Sequence, residues 1–415
     1  MIPSKTSPRQ ERYGTRVTEA KQQRKPRINR VFWNLWSTYA IFYFGKVNYS
    51  LIIPILLATY RDLTLYNVGM VASGFMTAYL VGQFLHGQLS ERFNPFVYMA
   101  IGLIGSAVMN AFLGFAGGFF WMLMIGEVID GGFQSMGWSS VVRANAITSD
   151  NIERDATRLG TSYQIGNSVV WIISGFVIGA FGWQWGFWVA SIVMFLRAIV
   201  LLKTRPKVEF IPRPFKERVK LTVSFPIFIS AISLCLLNMV RYGVIIWIPT
   251  YLYLEHAMPI EKVGLNIFLI PLAGVIGTLM YNRLKIHKDI LTVIYVISLA
   301  VVMFVLPGVS GIAMLALLVL SGFLLYGPHV FLVTTVPSRF ASQRIVAAAT
   351  GFIDGWAYIG TVIIGLVVPF ILDKTGYWSS VFYFWGAISL VMAGLVTVMF
   401  VRAKIKRKFE GGPEL

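Results

Sequence analysis

The chain has 415 residues, 56% of them hydrophobic and only 13% charged, with a formal net charge of +18. A water-soluble domain carries about a quarter charged residues, so the composition excludes a soluble enzyme and points to a protein that uses lipid as part of its solvent. The single cysteine, Cys235, excludes a disulfide framework, no His/Cys cluster offers a metal site, and no nucleotide-binding glycine loop is present; neither metal nor cofactor is expected.

Apolar runs recur from residue 31 to residue 402. Each exceeds about 18 residues, enough to cross a hydrocarbon core of about 30 Å as a helix. Barrel strands would be about half as long and would alternate in polarity. In chain order the windows predict twelve spans, near 33–58, 66–89, 96–117, 120–143, 159–182, 184–202, 223–253, 262–283, 290–307, 311–336, 347–371 and 378–402. The predicted organisation is a basic tail over 1–30, a six-helix half over 31–202, a charged, proline-containing loop over 203–222, a second six-helix half over 223–402 and a tail over 403–415. The first thirty residues are polar and basic, and the first apolar segment lacks a small-residue cleavage site, so no cleavable leader is expected.

The connectors alternate in charge. Those on the side of the N-terminus carry Arg92, Arg154, Arg158, the cluster from Lys203 to Lys220, then Arg283, Lys285, Lys288, Arg339 and Arg344. The opposite connectors hold little beyond Arg61, Lys262 and Lys374. Lys and Arg are retained in cytoplasmic loops, so both termini and the central loop are expected in the cytoplasm, with the protein in the plasma membrane. The basic clusters are explained by this topology and by attraction to anionic lipid, and no nucleic-acid partner is expected.

Two cations lie where a charge costs about 2.5–3.5 kcal/mol on insertion scales, mid-span in a membrane helix. Lys46 is in the first span of the first half, in YAIFYFGKVNYSLIIP, and Arg241 is in the first span of the second half, in LCLLNMVRYGVIIWIPTYL. With the halves related by a pseudo-twofold axis, the two side chains converge on a central cavity and form an anion clamp; the plainer reading is that each neutralises a buried acid or snorkels. Arginine offers a planar fork that fits phosphate oxygens bidentately, and lysine a compact point charge. Asp354 in the eleventh span is read as the partner of a clamp cation or as a proton carrier. Glu127 and Asp130 in the fourth span, with Arg143 at its cytoplasmic end, read as packing and gate partners. Arg197 reads as snorkelling, and His86 as part of the loop after the second span. His329 follows Gly327-Pro328, where a kink turns it toward the cavity or leaves it structural. Tyr43, Tyr242 and Trp247 lie within two turns of the cations and are candidate cavity residues, while Gly131, Gly132, Gly351 and Gly355 read as sites of close helix contact.

Six plus six spans around a basic loop is the layout of the major facilitator architecture. Four stretches carry a narrower resemblance: GQLSERFNP at 87–95, GGFQSMGWSSVVR at 131–143, RYGVIIWIPTYL at 241–252 and LLYGPHVFL at 324–332. They resemble segments of the organophosphate:phosphate antiporter family, which includes the glycerol-3-phosphate and hexose-phosphate transporters of bacteria. The resemblance implies an all-α fold of twelve transmembrane helices in two pseudo-symmetric halves. It also implies exchange of a phosphorylated organic anion for inorganic phosphate by alternating access, with one basic residue from each half on the phosphoryl group. Arg241 matches the family's helix-seven arginine, and Lys46 stands where the family has its helix-one arginine. The first stretch makes Glu91 and Arg92 gate residues together with Arg143. Three positions depart from the family pattern: Gln83 replaces a lysine, Gly166 a histidine and Ile246 an acid. The family also contains a membrane sensor of sugar phosphate that signals to a kinase, and a proton-coupled carrier of another anion centred on Asp354 is a further reading. A monomer is expected.

Overall fold

The computed structural model describes residues 28–90, 92–149, 152–207, 224–336 and 346–410. Among them there is no strand. Eleven helices are long and apolar enough to cross a membrane, and the protein is a multi-pass membrane protein. The first three crossings are Ile28–Thr59, Leu65–Leu89 and Pro95–Leu113. The fourth consists of two abutting helices, Phe120–Gln134 and Met136–Thr148, interrupted at Ser135, whose hydroxyl donates to the carbonyl of Gly132 at 2.6 Å. The fifth and sixth are Ile152–Phe181 and Gln184–Thr204. The seventh, Phe225–Thr250, continues as a π-helical turn, Tyr251–Glu255, and the eighth is Ile260–Ile267 followed by Leu269–Arg283. Lys288–Val305 is the ninth, and the tenth, Gly311–Val330, runs into a second π-turn, Phe331–Thr335. Val346–Thr375 and Trp378–Glu410 are the eleventh and twelfth.

Local chemistry sets several ends. Asn94 caps the third crossing by accepting from the backbone N–H of Phe96 and Val97, with Pro95 at the first helical position, where a missing N–H costs nothing. The same crossing stops at Leu113, four residues before the sequence window does, because the chain turns through Gly117 and Gly118 at φ of +57° and +76°. Proline inside a helix removes one backbone donor. Both π-turns follow such a residue, Pro249 in the seventh crossing and Pro328 in the tenth, and there the ladder resumes with a wider register.

The packing repeats with a period of six crossings. In the first half, crossing 1 packs on 5, 2 on 4 and 3 on 6; in the second, 7 packs on 11, 8 on 10 and 9 on 12. The halves meet through 2 against 11, 5 against 8 and 1 against 7, a set that also maps onto itself. Crossings 1 and 7 are the inner pair: 83% of each apolar window is buried inside the protein, against 33–56% for the other continuous spans. Their polar residues therefore face protein, not lipid.

The side of the molecule carrying Ile28 and Glu410 is termed near, the other far. On the far side the halves are joined backbone to backbone. A β-carbon on Gly69 would lie 2.2 Å from the carbonyl oxygen of Gly365, and one on Gly264 would lie 2.4 Å from that of Trp171 and 3.1 Å from the Cα of Gly175. The Ser73 hydroxyl donates to the Val362 carbonyl at 2.8 Å across the first of these seams.

Candidate functional site

Lys46 and Arg241 sit in the middle of the two inner crossings, 8% and 5% exposed. Among the described residues no carboxylate lies within 4 Å of either. Among the described residues the ammonium nitrogen of Lys46 has no hydrogen-bond partner. It lies instead over the ring of Tyr79, 3.7 Å from the centroid, with Tyr358 at 5.3 Å and Tyr43 at 5.6 Å. Arg241 is held in a similar cage, its guanidinium carbon 5.0 Å from Tyr326, 5.1 Å from Tyr242 and 5.4 Å from Tyr163. Ring faces attract a cation with about 2 kcal/mol or more when desolvated, which compensates part of the cost of placing these charges in the membrane without neutralising them.

Each cage draws one tyrosine from the cation's own helix, one from another helix of the same half and one from the opposite half: Tyr358 of crossing 11 for Lys46, and Tyr163 of crossing 5 for Arg241. The rings continue across the molecule. Tyr79 and Tyr358 are 4.9 Å apart between centroids, Tyr43 stacks on Tyr163 at 6.1 Å, and Tyr163 meets Tyr326 at 6.0 Å. The two cations are close enough to feel each other's charge, and Asp354 feels both.

Arg241 also donates to Nε2 of His329 at 3.1 Å. Arginine has no acceptor, so Nε2 is the accepting nitrogen and the ring proton is on Nδ1. His329, directly after Pro328 in the tenth crossing, thus lies against Arg241. Tyr43 and Tyr242 line the site as ring walls. Gln83 lies one turn nearer than Tyr79 on crossing 2, half-buried, its side-chain nitrogen without a hydrogen-bond partner among the described residues. Trp247, a candidate cavity residue, turns away and donates to the carbonyl of Ile364 at 3.3 Å.

The near-side residues are elsewhere. Arg92 is exposed just past crossing 2, Arg143 is half-buried in the near part of the fourth crossing, and Glu91 falls outside the described residues. His86 contacts the Tyr98 hydroxyl at 2.6 Å beside that loop. Arg197 does not snorkel: its guanidinium binds Thr38 at 2.8 and 3.1 Å, the backbone carbonyl of Asn34 at 2.6 Å and the Asn34 side chain, tying crossing 6 to crossing 1. Gly131 does permit close contact, a β-carbon there lying 2.3 Å from the carbonyl of Phe75, whereas Gly132 faces open space.

Asp130 has the packing role expected of it. Asn110 donates to its carboxylate at 2.8 Å, and Asn48 donates to Asn110 at 2.9 Å, linking crossings 4, 3 and 1. Glu127, one turn farther out, is 3% exposed and shares the wall of a cavity with Lys46. The departures at Gly166 and Ile246 also acquire reasons. A β-carbon on Gly166 would meet the carbonyl of Ala40 at 2.5 Å, so this contact between crossings 5 and 1 has no room for an imidazole. Ile246 is an apolar wall of the cavity that Lys46 lines.

Four cage tyrosines, Tyr79, Tyr163, Tyr326 and Tyr358, were not among the expected site residues. A fainter sequence signal was also present: Pro54 follows Lys46 by eight residues, as Pro249 follows Arg241, so cation and proline repeat together in the two halves.

The Major Facilitator Superfamily profile matches residues 35–363. The chain belongs to that superfamily. It is 24% identical over 413 residues to the membrane sensor protein UhpC of Escherichia coli, covering 90% of this chain and 92% of the relative. It is 25% identical to the glycerol-3-phosphate transporter of Bacillus subtilis (90% and 91% covered) and 23% to a probable hexose phosphate transport protein of Chlamydia muridarum (92% and 91%). In fold it is similar to the nucleoside transporter NupG, with a TM-score of 0.73 at 15% identity over 89% of this chain and 100% of that one. A D-xylose–proton symporter gives 0.71 at 13% identity, with 88% and 96% covered. This superfamily transporter is thus related to sugar-phosphate and glycerol-3-phosphate transporters, as the resemblance in the sequence led one to expect.

Proposed function

We propose that the protein exchanges a phosphorylated organic anion for inorganic phosphate by alternating access, with Lys46 and Arg241 gripping the phosphoryl group from opposite halves. The observation that carries this reading is the pair of buried cations at matching places in crossings 1 and 7, neither with a carboxylate within 4 Å among the described residues. Tyrosine rings hold such charges while leaving them able to take an anion, because a ring face does not compete with phosphate oxygens for the N–H donors. Arg241 supplies the bidentate fork, oriented by His329, and Lys46 a point charge. Asp354 moderates the repulsion between the two. A bound anion removes that repulsion and lowers the barrier to bringing the halves together around it, which favours exchange over the return of an empty carrier. The protein works as a monomer in the plasma membrane, with both termini cytoplasmic, so that the far seams close the external side.

The test is counterflow into proteoliposomes loaded with phosphate and offered labelled sugar phosphates and glycerol phosphate. Exchange that survives in both Lys46→Ala and Arg241→Lys would remove the clamp. The similarity to the sensor UhpC favours one other reading, in which the same site reports sugar phosphate to a partner kinase. Flux through the purified protein alone decides against it.

A further inference from the structure

Crossings 2 and 11 run antiparallel along the seam between the halves. Going from the far side to the near side, Gly69 lies against Gly365, the Ser73 hydroxyl bonds the Val362 carbonyl, the rings of Tyr79 and Tyr358 meet, and a β-carbon on Gly355 would lie 2.8 Å from the Phe84 ring. In that register Gln83 stands opposite Asp354. Each is four residues from its cage tyrosine, on the same helix face and about 6 Å nearer along the axis. Both are half-buried, and both are uncommitted. Among the described residues Asp354 forms no hydrogen bond and no ion pair, and the side-chain nitrogen of Gln83 has no hydrogen-bond partner. The Asp354 carboxylate is within electrostatic reach of Lys46, Arg241 and the phenols of Tyr79, Tyr242 and Tyr358. It therefore belongs to the same chamber as the two cations, one turn nearer than the rings that hold Lys46.

A phosphoryl dianion between Lys46 and Arg241 satisfies those cations and leaves Asp354 as an unpaired carboxylate in the membrane interior, an unfavourable place for a lone charge. A second anionic group on the organic part of the ligand would add repulsion, and an apolar end would leave the carboxylate as it is. An ammonium group pairs with it and is attracted by the tyrosine ring faces around it. We propose that the substrate is a phosphate monoester bearing an ammonium group, held with its phosphoryl end on Lys46 and Arg241 and its ammonium on Asp354 and the Gln83 amide. This rests on the reading of the two cations as a phosphoryl clamp. Two positive charges and one negative charge of the protein then meet two negative charges and one positive charge of the ligand, and none is left unpaired. The separation along crossing 11, about 6 Å, suits a chain of two or three carbons between the ends. A cation at position 83 would repel the ammonium, whereas the Gln83 amide turns its oxygen to accept a hydrogen bond from it.

The test is displacement of labelled inorganic phosphate from the purified protein at neutral pH by aminoethyl phosphate, by propyl phosphate, which is isosteric and uncharged at that end, and by glycerol phosphate. Aminoethyl phosphate should displace the label at a concentration at least about tenfold lower than propyl phosphate, the effect of one charge-assisted contact. Asp354→Asn should bring the two esters together, and Asp354→Glu should restore part of the gap. Equal displacement by the two esters in the wild-type protein overturns the proposal, whether or not the asparagine variant folds. Glycerol phosphate displacing better than aminoethyl phosphate also overturns it and makes Asp354 an acceptor for hydroxyl groups. A gap that persists in Asp354→Asn overturns it as well, since the ammonium then sits elsewhere. Each of these results leaves phosphate binding, and with it the clamp, in place. A wild-type protein that binds neither phosphate nor any of the esters removes the clamp, and the ammonium subsite with it.

Discussion

Replacing Gly69 and Gly264 together by alanine places a methyl group in each of the two seams that join the halves on the far side. The new carbons would stand 2.2 Å from the Gly365 carbonyl oxygen and 2.4 Å from that of Trp171. Ordinary contact begins near 3.4 Å, so each seam must open by about 1 Å. Backbone stands on the other side in both places, so no side chain can swing away. Overpacking of this kind costs about 1–3 kcal/mol at each seam, about 2–6 kcal/mol for the two together, and it is felt only while the far side is closed. The ratio of far-open to far-closed molecules therefore rises about 30-fold or more. A reporter is at hand in Ile246, 6% exposed on the wall of the cavity beyond Lys46. In a Cys235→Ser background, Ile246→Cys should react with an impermeant maleimide applied to the far face at a rate that rises by the same factor in the double alanine variant. A folded double variant that labels at the parental rate would refute the claim that these glycines hold the far side shut.

Lys46→Arg should keep phosphate counterflow within about tenfold of wild type, since the charge is retained, while Lys46→Ala falls to background; initial rates in proteoliposomes check both. Tyr79→Leu removes the ring 3.7 Å from the Lys46 ammonium. It should lower thermal stability in detergent by about 1–2 kcal/mol in the absence of ligand and by less with saturating phosphate, which takes over as the partner of Lys46; equal losses with and without phosphate would show that Lys46 does not leave the cage. Asn110→Leu deletes the donor to Asp130 and the acceptor for Asn48 at the centre of the first half. The buried Asp130 carboxyl then keeps Ser106 but loses its amide donor, and Asn48 loses an acceptor, at a cost of about 1–3 kcal/mol for each group left short of a partner, so the variant should unfold at a lower temperature in detergent.

The fold was legible because its determinants are local. Apolar length marks each crossing, so what was missed are ends that apolarity does not set: Leu113 before the turn at Gly117 and Gly118, the polar first turns of the fifth crossing from Ile152, the last turn of the fourth to Thr148 and the charged last turns of the twelfth to Glu410. Lys46 and Arg241 were legible for a related reason: a cation in the middle of an apolar run is conspicuous without any knowledge of its neighbours. Their surroundings were not. Tyr358 belongs to Lys46 and Tyr163 to Arg241 only because crossings 11 and 5 each lean on the other half, and a tyrosine in a membrane helix looks alike in sequence whether it sits in an interfacial belt or over a cation. Arg197 shows the opposite error. Its place near a helix end suggested snorkelling, whereas a neighbouring helix supplies Asn34 and Thr38 as partners. Gly166 could be read only as an absent side chain until the backbone of Ala40 appeared against it.

The way the crossings pair bears on how the protein is made. Crossings 1 with 5, 2 with 4 and 3 with 6 complete one another inside the first half, so every such partner has been synthesised before the ribosome reaches crossing 7. The first six helices can therefore assemble in the bilayer while the rest of the chain is still being translated. That waiting half is complete in its helix pairs but not in its centre. Lys46 has Tyr43 and Tyr79 beside it and lacks Tyr358, and the seam glycines Gly69 of crossing 2 and Gly175 of crossing 5 lack the backbone of the second half that they lie against. Arrival of crossing 11 supplies both the third ring and one of the seams in a single docking event. Two polypeptides cut between crossings 6 and 7 and produced together carry the same information, and should find each other through those surfaces.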